Sequence, residues 1–190
     1  MDIIQREAFE VERRAIPVTD HSQKNSLEFL ACGKPIPDHN IRIVNEKGQV
    51  LPERHVGQLQ FRGPSSMQGY LGNPAATKAI YHEGWWDTGD FAYIAEGEVF
   101  ITGRIKDLII KAGRNLYAAE IEELTGQVSE IRKGCVIAFG VTDPERGTEK
   151  LIIAAETREK NPKNREAIIE NINAIIANSL EIAPVSYTHL

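Results

Sequence analysis

Cysteine is scarce in this chain: only Cys32 and Cys135 occur, far apart and with no CxxC spacing. A disulfide scaffold and a zinc knuckle are excluded on that count, and two reduced, buried thiols beside strand-like runs are expected. His21, His39, His55, His82 and His189 show no metal-ligand spacing, so no metal site is expected. No apolar run approaches the ~20 residues of a membrane span, and no secretory signal opens the chain. These absences point to the cytoplasm. An excess of one charge is missing too. The net charge is −5 with acids and bases interleaved, which builds neither a nucleic-acid nor a membrane surface. There are no repeats and no low-complexity segments.

What is present is globular material. The 190 residues allow one or two domains with cores of their own, and 42% apolar against 26% charged content separates them from a disordered chain. Residues 3–14 form a short charged helix candidate, in which Ile4, Phe9 and Val11 are too sparse to define a face. Pro17 and the polar run 19–26 follow, so residues 1–31 read as an exposed connection. From Gly33 the texture changes to short strands and turns. NIRIV (40–44) and GQLQFR (57–62) alternate, the second with Leu59 and Phe61 inward, and Asn45-Glu46-Lys47-Gly48 is a turn. Asn73-Pro74 supplies an N-cap and a first-turn proline for a helix through His82. Residues 91–95 and 99–102 pair as a hairpin over Glu96-Gly97-Glu98.

Beyond Lys106 the texture changes again. A helix over 118–128 carries Ile121, Leu124 and Val128 on one face. A strand over 135–141, a turn at Asp143-Pro144 and a strand over 150–156 follow. A second helix over 165–180 has Ile168, Ile172, Ile175, Ile176 and Leu180 as a stripe at helical spacing. The fold class is therefore α+β: a β-rich, barrel-like part over residues 1–105 and a small α+β unit over 106–190.

The two halves meet in residues 103–117, GRIKDLIIKAGRNLY. Arg104, Lys106 and Asp107 precede the strand-like Leu108-Ile109-Ile110. Lys111-Ala112-Gly113-Arg114-Asn115 reads as a turn in which Gly113 takes φ > 0 and Asn115 tolerates it. Alone, this is a basic-edged hairpin with solvated charges. Upstream lies Trp86-Asp87-Thr88-Gly89-Asp90. Past its glycine turn, Asp90 can present both carboxylate oxygens to two neighbouring hydroxyls, as on a ribose. The alternative is that Asp87, Thr88 and Asp90 only satisfy turn amides. Arg104 comes one hairpin later and can return to the same end of the sheet. There it completes a nucleotide clamp or forms a simple ion pair with Asp90. Lys106 is either a linker charge or a backbone pivot.

GWWDTGD followed a dozen residues later by GRIKDLIIKAGRNLYAAEIE resembles the adenylate-forming superfamily of acyl-CoA synthetases, amino-acid adenylation domains and luciferases. GKPIPDHNIRIV, VGQLQFRGPSSMQGYLGNPAAT and GVTDPERGTEKLIIAAET extend the resemblance over nearly the whole chain. The GRIKDLII…GRN form and the CGKPIPDHNIRIV lead-in look most like fatty-acyl-AMP ligases and long-chain acyl-CoA synthetases. The resemblance implies the C-terminal portion of an AMP-binding large domain over 1–105 and a lid over 106–190. It implies an ATP- and Mg²⁺-dependent activation of a fatty or related carboxylic acid as acyl-AMP. Transfer to the thiol of CoA or of a phosphopantetheine-bearing acyl carrier protein would follow. On this analogy Asp90 binds the ribose diol, Arg104 contacts the nucleotide, and Lys106 is the hinge. Lys111 and Gly113 lie on the loop that faces the thiol.

Departures from the family pattern set further expectations. The Gly/Ser/Thr-rich phosphate loop, the acyl pocket and the aromatic segment over adenine have no counterpart in these residues. The adenylation lysine belongs to a segment beyond the last helix, so no catalytic residue is expected in this chain and the chain alone is expected to be inactive. Residues 185–190 (VSYTHL) do not match the family's continuation, and Ala118 replaces a usual proline. Where some relatives carry a phosphate-contacting arginine, this chain has Asn115 beside Arg114. Two other readings stand beside the ligase: a non-catalytic lid module that docks a carrier protein or partner chain, and part of an amino-acid adenylation domain.

Overall fold

Glu83-Gly84, Glu96-Gly97 and Ala112-Gly113 each have both residues at positive φ, at 50° and 90°, 54° and 74°, and 51° and 78°. That is the backbone of a type I′ turn, whose twist matches that of the strands it joins. Three tight hairpins follow from these turns, and they carry every candidate site residue but Lys106. The computed structural model describes residues 1–19, 25–143, 148–182 and, by backbone alone, 186–188. Most of the polar run 19–26, Pro144 of the Asp143-Pro144 turn and residues 185, 189 and 190 of the VSYTHL end lie outside the described residues. The chain divides into two compact units, Met1–Lys106 and Asp107–Leu190.

In the first unit β1 (Asp2–Gln5) runs into α1 (Arg6–Glu12), and β1 pairs antiparallel with β2 (Ser26–Phe29). The expectation of a loosely patterned helix over 3–14 and an exposed connection is corrected here. Ile4 and Phe9 are fully buried, and Val11 is the exposed member of the three. Asp2 accepts hydrogen bonds from the Arg54 guanidinium at 3.0 Å and from the Tyr93 hydroxyl at 2.9 Å. Burial and that bond to Asp2 push the Tyr93 phenol far above its ordinary value. Tyr93 also stacks on Phe100 at 4.9 Å between ring centroids.

The main sheet contains β3 (Asn40–Val44), β4 (Gly57–Arg62), β5 (Tyr81–His82), β6 (Trp85–Ala95) and β7 (Glu98–Arg104). Its order is β3-β4-β6, with β5 and β7 sharing the far side of the long strand β6. It is an open sheet and not the barrel-like one expected. Closure would require β3 to reach β7. The main chain of Cys32 and Gly33 instead bonds both backbone groups of Val99, so the β7 edge is already occupied. Between β4 and β5 lies α2 (Pro74–Ile80), with Asn73 accepting from the Ala76 amide and Pro74 in the first turn, as the Asn-Pro signal required.

The second unit begins with β8 (Leu108–Lys111) and β9 (Arg114–Tyr117), followed by α3 (Ala118–Gly126), β10 (Ile131–Asp143), β11 (Thr148–Thr157) and α4 (Pro162–Leu180). β12 (Ser186–Thr188) lies parallel to β11. The α4 stripe Ile168, Ile172, Ile176 and Leu180 packs with Ile121, Leu151 and Ile153 in one core, with Ile175 at its margin. α4 starts earlier than its apolar stripe suggests, because Asn161 caps it and Pro162 fills its first turn.

Both cysteines are free, but neither is buried as expected: Cys32, whose backbone serves the β7 edge, is exposed, and Cys135 is half-buried. No helix among the described residues is long and apolar enough to cross a membrane.

Candidate functional site

The pairing of β4 with β6 breaks at one point. Gln58 faces Phe91 and Gln60 faces Asp87, so Leu59 alone stands opposite Thr88, Gly89 and Asp90. The surplus residues of β6 therefore bulge out of the sheet, which is how a strand re-aims a side chain. Gly89 takes φ +85° at the apex, with open space where a Cβ would sit. Thr88 secures the bulge from inside: its hydroxyl donates to the Leu59 carbonyl at 3.2 Å and accepts from the Asp90 amide at 3.0 Å. Thr88 thus fills the turn-satisfying role that was one of the two readings of this segment. The Asp90 side chain does not share it.

Across β6 on the β7 side, Asp90 is the register partner of Arg104. The two hairpin strands therefore bring together the two residues that the sequence placed at one end of the sheet. They form no ion pair, and among the described residues neither side chain has a hydrogen-bond partner. A half-buried carboxylate and an exposed guanidinium stand side by side with their polar groups uncommitted.

Asp87 behaves differently from Asp90. Its Oδ1 accepts from the Gln60 amide at 2.6 Å, and its Oδ2 accepts from His82 Nε2 at 2.9 Å. Gln60 in turn accepts from Arg42 Nε at 2.7 Å. The guanidinium groups of Arg42 and Arg62 lie 4.2 and 4.5 Å from the centroid of the Trp85 ring. This row crosses β3, β4, β6 and β5 on one face. Sequence reading missed it, because a glutamine at an outward slot of an alternating strand reads as a solvent residue. The one available signal was the match of polar types at 42, 60 and 87, and it needs the register to be seen.

Lys106 sits inside a 3-10 turn over Ile105–Asp107, at the end of the first unit. Lys111 and Gly113 belong to the β8–β9 hairpin of the second unit. Here the expected geometry is corrected in one respect. The left-handed residues are Ala112 and Gly113, whereas Asn115 is a buried strand residue opposite Ile110. A two-residue type I′ loop uses the residues at 112 and 113, which leaves 115 inside the ladder. The free edge of β8 is held by β11: Glu149 accepts from the Ile110 amide at 2.6 Å, and Thr148 accepts from the Ala112 amide at 3.1 Å.

No group of three or more metal-ligating side chains occurs among the described residues. A cavity of about 360 Å³ lies in the first unit between Arg13, Glu46, His55, Gln58 and Phe91, and none of the candidate site residues lines it.

Comparison with known proteins points in one direction. The family described as AMP-binding enzyme matches residues 15–71. A putative acyl-CoA synthetase of Caulobacter vibrioides is 34% identical over 169 residues, covering 87% of this chain and 29% of that protein. A solved structure of fatty acyl-adenylate ligases from E. coli and L. pneumophila superposes with a TM-score of 0.86 at 34% identity, over 100% of this chain and 33% of that one. The adenylation and carrier domains of McyG, solved with phenylalanyl-adenylate, give a TM-score of 0.79 at 33% identity, over 92% of this chain and 31% of that one. The chain thus spans about a third of the length of the relatives it matches.

Proposed function

We propose, from the premise that this chain belongs to the adenylate-forming superfamily of AMP-binding enzymes, that it carries the ribose side of a nucleotide site on the 88–90 bulge. The observation that carries this reading is the uncommitted Asp90–Arg104 pair. A carboxylate held clear of intramolecular partners suits a vicinal diol, which offers two O–H donors to its two oxygens. A guanidinium beside it suits the acceptor oxygens of sugar or phosphate. In ATP and AMP these groups are adjacent.

In the whole protein, the proposed reaction is attack of a carboxylate oxygen on the α-phosphorus of ATP, with pyrophosphate leaving. Attack of a thiol of CoA or of a phosphopantetheine-bearing carrier protein on the acyl-AMP carbonyl, with AMP leaving, would complete it. A fatty acid is the proposed substrate, supported by the likeness to the fatty acyl-adenylate ligases. Mg²⁺ is proposed as the companion ion of ATP in the whole protein; among the described residues no group of three or more metal-ligating side chains occurs. Lys106 is the proposed hinge, and Lys111 with Gly113 the proposed thiol-side loop. These 190 residues hold no Gly/Ser/Thr-rich phosphate loop, so the chain alone is proposed to bind nucleotide without turning it over.

The test compares AMP with its 2′,3′-dideoxy analogue by amide shift titration of the purified chain. AMP should bind at least about tenfold more tightly, the amount one charge-assisted bond contributes, with shifts at Gly89, Asp90 and Arg104. Equal affinities would overturn the reading. For the whole protein, pyrophosphate exchange stimulated by dodecanoate and not by amino acids supports the fatty substrate. The reverse pattern favours amino-acid adenylation, and a whole protein that exchanges with neither is the non-catalytic docking module.

A further inference from the structure

We infer that Gln60 and His82 are positioning residues for the 88–90 bulge, acting through Asp87; the inference rests on the ribose reading for what the bulge presents. The bulge leaves the sheet immediately after Asp87, the last residue of β6 still in register with β4 before the break. A chain that departs from a ladder has soft dihedrals at its point of departure unless that residue is fixed by more than its backbone. Asp87 is fixed on both carboxylate oxygens, by Gln60 from β4 and by His82 from β5. Those strands flank β6 on opposite sides. The carboxylate is therefore gripped from left and right, and it cannot rotate without losing one bond.

The grip is itself braced. Gln60 is 3% exposed, and its carbonyl oxygen is occupied by Arg42, which fixes the amide orientation so that its nitrogen points at Asp87. Arg42 is in turn stacked on Trp85. Within the bulge the Thr88 hydroxyl holds the Asp90 amide, and the far end is held by the Phe91 register with Gln58. A buried glutamine bonded only to side chains is an expensive way to fill a strand position, since an apolar residue would pack there without polar desolvation. Its arrangement makes sense as a device that sets the direction of Asp90, three residues beyond the grip.

Four chains serve the test: wild type, Gln60→Met, His82→Ala and His82→Gln. Each is followed by amide hydrogen exchange, AMP titration and thermal unfolding. Gln60→Met keeps volume and removes both bonds. His82 is half exposed, so its variants fold even if Gln60→Met does not, and glutamine restores an N–H donor toward Asp87. The expected result is faster exchange confined to Gly89, Asp90 and Phe91 and AMP affinity lowered about tenfold in Gln60→Met and His82→Ala, with recovery in His82→Gln. A purely structural role would instead spread the change over the whole sheet and follow the melting temperature. That pattern overturns the inference, as does unchanged exchange at the bulge. Faster bulge exchange with unchanged AMP affinity also overturns it. If wild type binds dideoxy-AMP as tightly as AMP, the ribose reading fails on its own, and the exchange data alone then decide whether Gln60 and His82 hold the bulge.

Discussion

Asp90 and Arg104 face each other across two hydrogen-bonded strands and yet make no ion pair. An exposed pair of this kind would be worth little to stability, typically under about 1 kcal/mol. Leaving it open therefore costs the fold almost nothing and keeps both groups available to a ligand.

Asp90→Asn should leave the melting curve within about 0.5 kcal/mol of wild type, because the carboxylate has no partner to lose. The same change should weaken AMP binding about 10- to 100-fold, as expected for loss of charge-assisted bonds. Isothermal titration and thermal unfolding read the two effects. A large stability loss with intact binding would show that Asp90 is structural.

Lys106→Pro tests the hinge in the whole protein. Lys106 lies in the middle of a 3-10 turn, and proline there fixes φ and removes an amide donor. Acyl-adenylate formation, trapped as hydroxamate, and thioester formation should be impaired to very different degrees. Equal loss of both makes Lys106 only a connector.

Ala112 is held at φ +51°, a conformation that costs a residue with a Cβ roughly 1–2 kcal/mol. Ala112→Gly should therefore stabilise the second unit by about 0.5 kcal/mol after the added freedom of the unfolded chain is subtracted. Gly113→Ala should destabilise it by about 1 kcal/mol for the same steric reason. Denaturant titration of both variants is the check, and a stabilising Gly113→Ala would refute the turn assignment.

The Tyr93 hydroxyl predicts alkaline behaviour. Its pKa is raised by burial and by the bond to Asp2, so the folded state holds this proton more tightly than the unfolded chain. The stability it contributes is complete below about pH 10 and falls as pH rises above that value. Tyr93→Phe should cost about 1 kcal/mol at neutral pH and flatten the alkaline slope. Absorbance titration should show one fewer late-ionising tyrosine.

Glu159 makes the acid-side prediction. Its carboxylate accepts from the amides of Asn161 and Lys160 and from the Asn164 side chain at the start of α4. The Asn161 amide bond is the main cause that holds its pKa below the usual carboxylate range. The stability it lends is present above the ordinary glutamate range and is lost as pH falls through the depressed value. Glu159→Gln should melt earlier than wild type at pH 7, and the gap should close on acidification. A gap independent of pH would mean that charge is irrelevant there.

What sequence made legible were features encoded within a few residues of each other. Asn73-Pro74 announced α2, the isoleucine stripe announced α4, and the Glu96-Gly97 hairpin implied that Asp90 and Arg104 return to the same end. What it hid depends on partners far along the chain. β1 forms because Ile3 meets Glu28, and Ile4 and Phe9 are buried by strands that no local pattern reveals. The open sheet follows from Cys32 and Gly33 occupying the edge of β7. Gln60 looked like a surface residue because alternation reports which side a residue is on and not what covers that side. Ala112 looked ordinary, and only the two-residue loop length forces it into the left-handed region.

The Asp2 carboxylate, bonded to Arg54 and Tyr93, also has a meaning in time. A ribosome adding about 5–20 residues per second needs roughly 5–20 s to pass from the first of these residues to the last. Through most of that interval Ile4 and Phe9 have only the β1–β2 pair beside them, and the nascent segment exposes apolar surface that the finished unit conceals. The second unit, whose core residues are closer together in sequence, has a shorter wait. Chaperone dependence during synthesis should accordingly fall on the earlier part of the chain, not on the later one.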